Sequence, residues 1–219
     1  MEKIYVQYGC GLSAPTGWLN YDASPRLWLE SLPLARRIMG PRALFPKNVQ
    51  YGDIIKGLPL KEGTVTGLFC SHVLEHIPRS TIGNALRHSF LLLKPGGIFR
   101  IVVPDLEWRV KEYLRTIDGE IKGHEDAPAD VLQMRLLLRP REQPSGVGVL
   151  RSTLGLSAHQ WMYDEHLLTS LLGDAGFVGI RRCYFGDCED PKFKQVEDIG
   201  RFKDNDFEEL ALEARRPAT

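Results

Sequence analysis

The segment TVTGLFCSHVLEHIP (64–78) carries the strongest structural signal in the chain. Its first half, TVTGLFCS (64–71), is an apolar and β-branched run that predicts a strand. A second run, IFRIVV (98–103), is nearly continuous in apolar residues, as expected of a strand buried on both faces. Between them, apolar residues recur at helical spacing from Ser80 to Lys94, and Pro95-Gly96-Gly97 ends that pattern. Strand, helix and strand in this order predict a right-handed βαβ unit with parallel strands.

The same rhythm extends in both directions from this unit. Further strands are predicted at 3–8, 18–22, 48–53, 180–185 and 209–216. Helices are predicted after Pro25 (broken at Pro33), over roughly 105–117 and 127–138, and from 165 to 176 with Asp164 as N-cap. Strands that alternate with helices predict an α/β fold with a mostly parallel sheet in a three-layer, Rossmann-like sandwich.

Composition and charge exclude several classes of protein. The 219 residues hold 28 basic and 28 acidic side chains, so a formal net charge of zero argues against a nucleic-acid partner. We find no apolar run of membrane-spanning length, and the start MEKIYVQYG lacks the plan of a signal peptide. Four scattered cysteines (Cys10, Cys70, Cys183 and Cys188) show no zinc spacing and are typical of reduced thiols in a cytoplasmic protein.

A glycine turn and two acids follow the first three predicted strands. Gly9-Cys10-Gly11 comes directly after the first strand, Asp22 ends the second and Asp53 ends the third. Ligands of open α/β sheets bind at the carboxyl ends of the strands, where an acid can accept hydrogen bonds from ribose hydroxyls. Either acid alone is ordinary turn chemistry, but in register with the glycines the pair favours an adenosine pocket.

Two motifs carry a resemblance to a known family. The pattern CSHVLEHIP (70–78) followed by LLLKPGG (91–97) resembles class I S-adenosylmethionine-dependent methyltransferases with a shortened first crossover. The resemblance covers residues 3–107 and resumes at HQWMYDEHLLTSLLGDAGF (159–177). It implies a seven-stranded sheet of order 3-2-1-4-5-7-6 with the last strand antiparallel. It also implies S-adenosylmethionine as cofactor and S-adenosylhomocysteine as product.

The resemblance assigns a role to each residue of the predicted pocket. The glycine turn would face the methionine part of the cofactor, Asp22 the ribose and Asp53 the adenine. The end of the fourth strand would lie beside the sulfonium and the acceptor. The cofactor-binding residues implied in this way are Gly9, Cys10, Gly11, Asp22, Asp53, Ile54, Cys70 and Ser71.

The sequence also departs from the family pattern. Gln7 stands where the family commonly has an acid, Ser13 stands where it has a glycine, and LSAPTG (12–17) is too short for a crossover helix. These departures keep open an alternative, a binding or regulatory module with the same fold and no catalysis. A nicotinamide oxidoreductase is disfavoured because Leu12-Ser13-Ala14 does not complete the dinucleotide fingerprint.

The histidines after the fourth strand are candidates for acid–base chemistry. His72 is the predicted catalytic base, if the acceptor needs one, with a packing role as the alternative. His76 is predicted to be structural; His159 could close over the acceptor, but a packed aromatic hinge is favoured. Three histidines with Glu75 nearby suggest a metal, but His72-x2-Glu75-His76 matches no zinc helix, and we expect none. Asp105 either faces the pocket or caps the following helix, and capping is favoured.

Residues 108–160 form a longer insertion than a connection needs, within a single domain spanning 1–219. We expect it to form a cap on the acceptor side, together with HQWMYD (159–164). Its arginines could hold an anionic acceptor group; they are Arg135, Arg139, Arg141 and Arg151. The predicted partner is a small-molecule or saccharide-type acceptor.

Overall fold

The computed structural model describes residues 2–30, 44–120, 159–204 and 207–219, together with Ala129, Leu132 and Leu136. Its strands are β1 (Ile4–Tyr8), β2 (Leu19–Asp22), β3 (Val49–Tyr51), β4 (Val65–Ser71), β5 (Leu93–Val103), β6 (Val178–Cys183), β7 (Lys203–Asp204), β8 (Phe207–Glu208) and β9 (Leu210–Arg215). Its α-helices are α1 (Pro25–Glu30), α2 (Ile82–Leu92), α3 (Leu106–Ile117), α4 (Glu165–Asp174) and α5 (Ile199–Phe202). Two 3₁₀ helices span Leu74–His76 and Pro191–Gln195. Among these described segments, no helix combines the length and the apolar character that crossing a bilayer requires.

Seven strands form one sheet in the order β3-β2-β1-β4-β5-β9-β6. Strands β1 to β5 pair in parallel, and β9 runs antiparallel to both β5 and β6. This is the predicted arrangement, with β9 as the seventh strand of the sheet, and the fold prediction is confirmed. The parallel pairing places the ends of β1, β2, β3 and β4 along one edge, which is where the candidate site lies. A two-stranded β7-β8 ribbon, which the sequence pattern did not predict, precedes β9.

One face of the sheet packs against helices α2 and α4. Because side chains of a strand alternate between its faces, Tyr8, Leu68 and Phe99 point to this side from three neighbouring strands. They meet Leu86 of α2 and Leu168 of α4, both fully buried. Asp164 caps α4 as predicted, since its carboxylate accepts a hydrogen bond from the Leu167 amide at 2.7 Å.

The opposite face is covered by residues 184–202, which we call the covering segment. Phe193, fully buried in its 3₁₀ helix, packs against Trp18 and Phe69, with ring centroids 5.8 and 6.4 Å away. Residues 9–18 contain no helix between β1 and β2, as the short crossover predicted. The aromatic side chains of the covering segment therefore bury the β1 and β4 surface on this face.

Arg100 of β5 fastens the covering segment to the sheet. Its guanidinium is fully buried, 2.9 Å from the Glu213 carboxylate and 2.5 Å from that of Glu197. It also donates to the carbonyl oxygens of Tyr184 and Asp187, each at 2.8 Å. A buried charge needs this degree of compensation, because an unpaired one would cost several kcal/mol.

Some predicted boundaries were wrong. The helix expected to reach Lys94 ends at Leu92, since the residue before a proline is disfavoured in helical conformation and Leu93 is already extended beside Val65. The strand predicted at 180–185 runs from Val178 to Cys183, because the Tyr184 carbonyl turns away to Arg100. The continuation of the first helix beyond residue 30 lies outside the described residues. So does most of the helix predicted at 127–138.

Candidate functional site

The glycine turn after β1 adopts a backbone that other residues rarely adopt. Gly9 and Gly11 have φ angles of +63° and +55°. A Cβ built on Gly9 would lie 2.2 Å from a methyl carbon of Val73, so only glycine fits there. A Cβ on Gly11 would meet no atom within 4 Å, so this glycine borders open space. The turn therefore leaves a free approach to its backbone at Gly11.

Asp22 ties the glycine turn to the end of β2. Its Oδ2 accepts a hydrogen bond from the Gly11 amide at 2.8 Å, and its Oδ1 accepts one from the Ser24 amide, also at 2.8 Å. The Cys10 amide donates to the Tyr21 carbonyl at 3.1 Å, which closes the same contact between the strands. Each carboxylate oxygen has a second lone pair, so the buried carboxylate can still accept from a ligand hydroxyl.

Asp53 and Ile54 follow β3 on the same edge of the sheet. Asp53 is half-buried, its Oδ1 accepts from the Ile55 amide at 3.0 Å, and its Oδ2 lies 3.5 Å from the Lys56 ammonium group. Ile54 is buried in the core, and its carbonyl oxygen contacts a ring nitrogen of His88 at 2.9 Å. Of the two, Asp53 presents the more accessible polar group to a ligand.

Gln7 has a role that the sequence did not reveal. Its side-chain amide nitrogen donates to the Ser13 carbonyl at 2.7 Å and to the Asn20 side-chain oxygen at 2.6 Å. Gln7 is buried, so this amide braces the shortened loop from beneath. Gln7, which stands where the family has an acid, thus holds the short loop between β1 and β2 in place. The shortness of that loop was the one feature of the sequence that could have indicated this role.

The end of β4 presents one polar group and one buried thiol. The Cys70 side chain is 1% exposed within the core, so its predicted contact with the cofactor would be made by its backbone. Burial raises the pKa of the Cys70 thiol, and it raises that of Cys10 to about 12. The Ser71 hydroxyl is buried at this edge and has no hydrogen-bond partner among the described residues.

His72 is held on both sides of its ring. It is the one described residue other than glycine with a positive φ, +54°, a strained conformation of the kind that clusters at functional sites. Nδ1 lies 3.3 Å from a carboxylate oxygen of Glu75, and Nε2 lies 2.9 Å from the carbonyl oxygen of Arg201. Burial lowers the pKa of His72, but the hydrogen bond and charge of Glu75, the Arg201 carbonyl and the charge of Glu209 together outweigh it and raise the pKa overall. The predicted role as a base therefore requires the contact with Arg201 to open first.

The two histidines predicted to be structural converge on Glu75. His76 Nε2 lies 3.9 Å from the Glu75 carboxylate, and the His76 and His159 rings meet edge to face at 5.1 Å. The amides of Gln160 and Trp161 donate to the Glu75 carbonyl at 2.6 and 3.2 Å. Sequence reasoning grouped these histidines with Glu75 but could not place them in contact, because His159 lies beyond the insertion.

Asp105 caps helix α3, as favoured from the sequence. Its carboxylate accepts from the Trp108 amide at 3.3 Å and from Arg182 at 2.9 Å, and the residue is 2% exposed. The four arginines proposed to hold an anionic acceptor group lie outside the described residues, as does most of the insertion.

The described residues fit a nucleoside-bearing cofactor at the edge where β1 to β4 end. Open space at Gly11 leaves room for a ligand beside the backbone, and Asp22 and Asp53 supply acceptors from adjacent strands. The unpartnered Ser71 hydroxyl lies at the end of the next strand in the sheet. Glycine turn, acids and hydroxyl thus lie where the fold places a cofactor.

Comparison with known proteins supports this interpretation. A model of the methyltransferase domain family matches residues 6–101. A solved S-adenosylmethionine-dependent methyltransferase from Archaeoglobus fulgidus is 15% identical, with a TM-score of 0.53, and the match covers 98% of this chain and 86% of that one. Another from Thermotoga maritima, described as a possible histamine N-methyltransferase, is 16% identical with a TM-score of 0.50 and covers 99% and 83%.

A sequence search of curated proteins gives no match. The domain match includes the glycine turn, both acids and the end of β4, and the two solved structures share the fold. The cofactor of this family is S-adenosylmethionine. The first part of the chain, residues 6–101, thus matches the methyltransferase domain family, and the strand order of the sheet is that of the class I methyltransferase fold.

Proposed function

We propose that the protein transfers a methyl group from S-adenosylmethionine to a small-molecule or saccharide-type acceptor. The observation that carries the proposal is the contact of Asp22 with the Gly11 amide, beside open space at Gly11. This contact fixes the glycine turn and an acid from the next strand in one rigid unit. A preformed unit of this kind binds a ribose without first having to order a loop.

The residues of the site bind and orient, and the cofactor, when bound, supplies an electrophilic methyl group on a sulfonium. Asp22 would accept from the ribose hydroxyls, and Asp53 from the adenine amino group. The Gly9–Gly11 backbone would lie against the methionine part, with Ser71 beside it. Alignment of this kind can lower a barrier by ~7–11 kcal/mol, so methyl transfer does not by itself require a base.

The acceptor would lie on the side of His72 and the segment 159–164. The insertion 108–160 leads into this segment, and the Glu75 carbonyl anchors its first residues through the Gln160 and Trp161 amides. We propose that the insertion caps the acceptor, as expected from its length. The four cysteines are free thiols, which supports a reducing, cytoplasmic location for this reaction.

Calorimetric titration with S-adenosylhomocysteine and S-adenosylmethionine tests the proposal. Asp53→Asn removes the charge of a half-buried acid that braces little else, and we expect about tenfold weaker binding, from a charge-assisted bond of ~1.5 kcal/mol. Asp174→Asn, an exposed acid at the end of α4, is the matched control and should bind as the wild type does. Equal affinity of Asp53→Asn and wild type would contradict the assigned adenine contact.

The alternative is a module that keeps the fold without transferring a methyl group. It is favoured by one observation, the use of Gln7 as a loop brace where the family has an acid. The module predicts that neither S-adenosylmethionine nor S-adenosylhomocysteine binds to the wild-type protein. Binding of both, with a loss in Asp53→Asn, would exclude it in this form.

A further inference from the structure

Glu75, His76 and His159 form a compact cluster beyond the end of β4. One ligand atom from each, a carboxylate oxygen or a ring nitrogen, lies within 4.8 Å of the other two. Glu75 is fully buried, His159 is 8% exposed and His76 is partly buried. One carboxylate and two imidazoles are a common set of ligands for a divalent transition metal ion.

The buried carboxylate of Glu75 is under-compensated. Both of its oxygens are inaccessible to solvent and lack a well-formed hydrogen bond among the described residues; the nearest ring nitrogens are those of His72 at 3.3 Å and His76 at 3.9 Å. A buried carboxylate is normally paired, hydrogen-bonded or bound to a metal, because desolvation otherwise costs several kcal/mol. This requirement is independent of the spacing of the three residues.

A second buried atom lacks a partner in the same cluster. Nδ1 of His159 is inaccessible to solvent and has no hydrogen-bond partner in the described part of the chain. The His159 ring meets that of His76 at 5.1 Å, so its position is fixed relative to the other two side chains. The Glu75 carboxylate and the His159 ring nitrogen, both of which can bind a metal ion, are thus buried close together without hydrogen-bond partners among the described residues.

The backbone holds the two halves of the cluster together. Glu75 and His76 lie in the 3₁₀ helix that follows β4, and His159 begins the segment that leads to α4. The carbonyl of Glu75 accepts from the amides of Gln160 and Trp161, immediately after His159. These backbone hydrogen bonds therefore fix the two segments that carry the three side chains relative to each other.

We infer that Glu75, His76 and His159 bind a divalent transition metal ion of the zinc or cobalt type. This revises the expectation from sequence, which weighed the three histidines with Glu75 and expected no metal. Three protein ligands leave coordination positions for a further group. If the proposed methyl transfer holds, an oxygen atom of the acceptor would occupy the remaining coordination positions of the metal. The acceptor would then carry a hydroxyl or carboxylate near the methylated atom.

Metal binding can be measured without any acceptor. The protein is dialysed against EDTA and then against buffer, and titrated with Co²⁺ while its visible absorption is recorded, with Zn²⁺ as competitor. We expect one Co²⁺ per chain, displaced by Zn²⁺, and at least about a hundredfold weaker binding in His159→Ala and Glu75→Gln. His166→Ala, an exposed histidine of α4, is the matched control and should bind as the wild type does.

Circular dichroism identifies any variant that does not fold. His159→Ala leaves the backbone bonds to the Glu75 carbonyl intact, so it tests the site even if Glu75→Gln unfolds. No stoichiometric Co²⁺ uptake by the wild type, or an unchanged affinity in folded His159→Ala, would overturn the inference. A parallel titration with S-adenosylhomocysteine in EDTA tests the cofactor pocket separately, so the two proposals can fail independently.

Discussion

Replacement of Gly11 by alanine separates strain in the fold from contact with the cofactor. Gly11 has a φ of +55°, where a residue with a Cβ pays roughly 1–2 kcal/mol. No atom lies within 4 Å of the new Cβ, so no clash adds to this cost, and the amide that donates to Asp22 is retained. We therefore expect Gly11→Ala to fold, with a free energy of unfolding lower by about 1–2 kcal/mol. The same methyl group would occupy space that the cofactor needs.

The assay compares two alanine variants with equal strain. Gly63, before β4 at the opposite end of the sheet, has a φ of +72° and also borders open space. Gly63→Ala should lose about the same stability in urea unfolding as Gly11→Ala. Calorimetry should show S-adenosylhomocysteine binding at least about tenfold weaker in Gly11→Ala, which is ~1.4 kcal/mol, and unchanged in Gly63→Ala. If both variants bind equally well, the open space at Gly11 is not the cofactor site.

Three further predictions concern the covering segment and the thiols. Phe193→Ala should lower the free energy of unfolding by about 3–5 kcal/mol, because Phe193 is fully buried. Phe185 is 45% exposed, so Phe185→Ala should lower it by less than ~1 kcal/mol. Comparable losses in urea titrations of the two variants would refute this account of the second face. At pH 8 a thiol reagent should modify the partly exposed Cys188 in the native protein and the other three cysteines only after unfolding, because those three are buried; rapid labelling of all four would be inconsistent with the core. The hydrogen bonds from Arg181 lower the pKa of Asp187. Asp187 therefore stabilises the fold above its usual pKa of 3.8, and this contribution is lost as the pH falls through the lower pKa of the folded state. In salt-matched unfolding curves, Asp187→Asn should remove part of this acid sensitivity, and an unchanged pH profile would count against the assignment.

The sheet was predictable because its strands carry local signals. IFRIVV and TVTGLFCS are short apolar runs bounded by turn residues, and both proved to be central strands. The Asp164 cap was equally visible, because an acid before an apolar helical pattern has a local function. The glycine turn, Asp22 and Asp53 could be predicted to lie near one another because the ends of parallel strands meet at one edge of the sheet.

The remaining features depend on contacts between distant parts of the chain. The second half of the covering segment, PKFKQVEDIGRF (191–202), has the composition of a polar loop. Only the folded structure shows that Phe193 is a core residue. Arg100 interrupts an apolar strand, and its partners Glu197 and Glu213 lie far along the sequence. The cluster around Glu75 needs His159 from beyond the insertion. Spacing arguments cannot detect such partners.

The position of β9 between β5 and β6 has a consequence for biosynthesis. During translation β6 emerges before β9, yet β9 is its strand neighbour in the sheet. Until β9 arrives, β5 exposes an unpaired edge from Ile98 to Val103, a strand that is apolar apart from Arg100. Such edges recruit strands from other molecules. A nascent chain stalled before β9 should therefore be prone to aggregation and a substrate for chaperones.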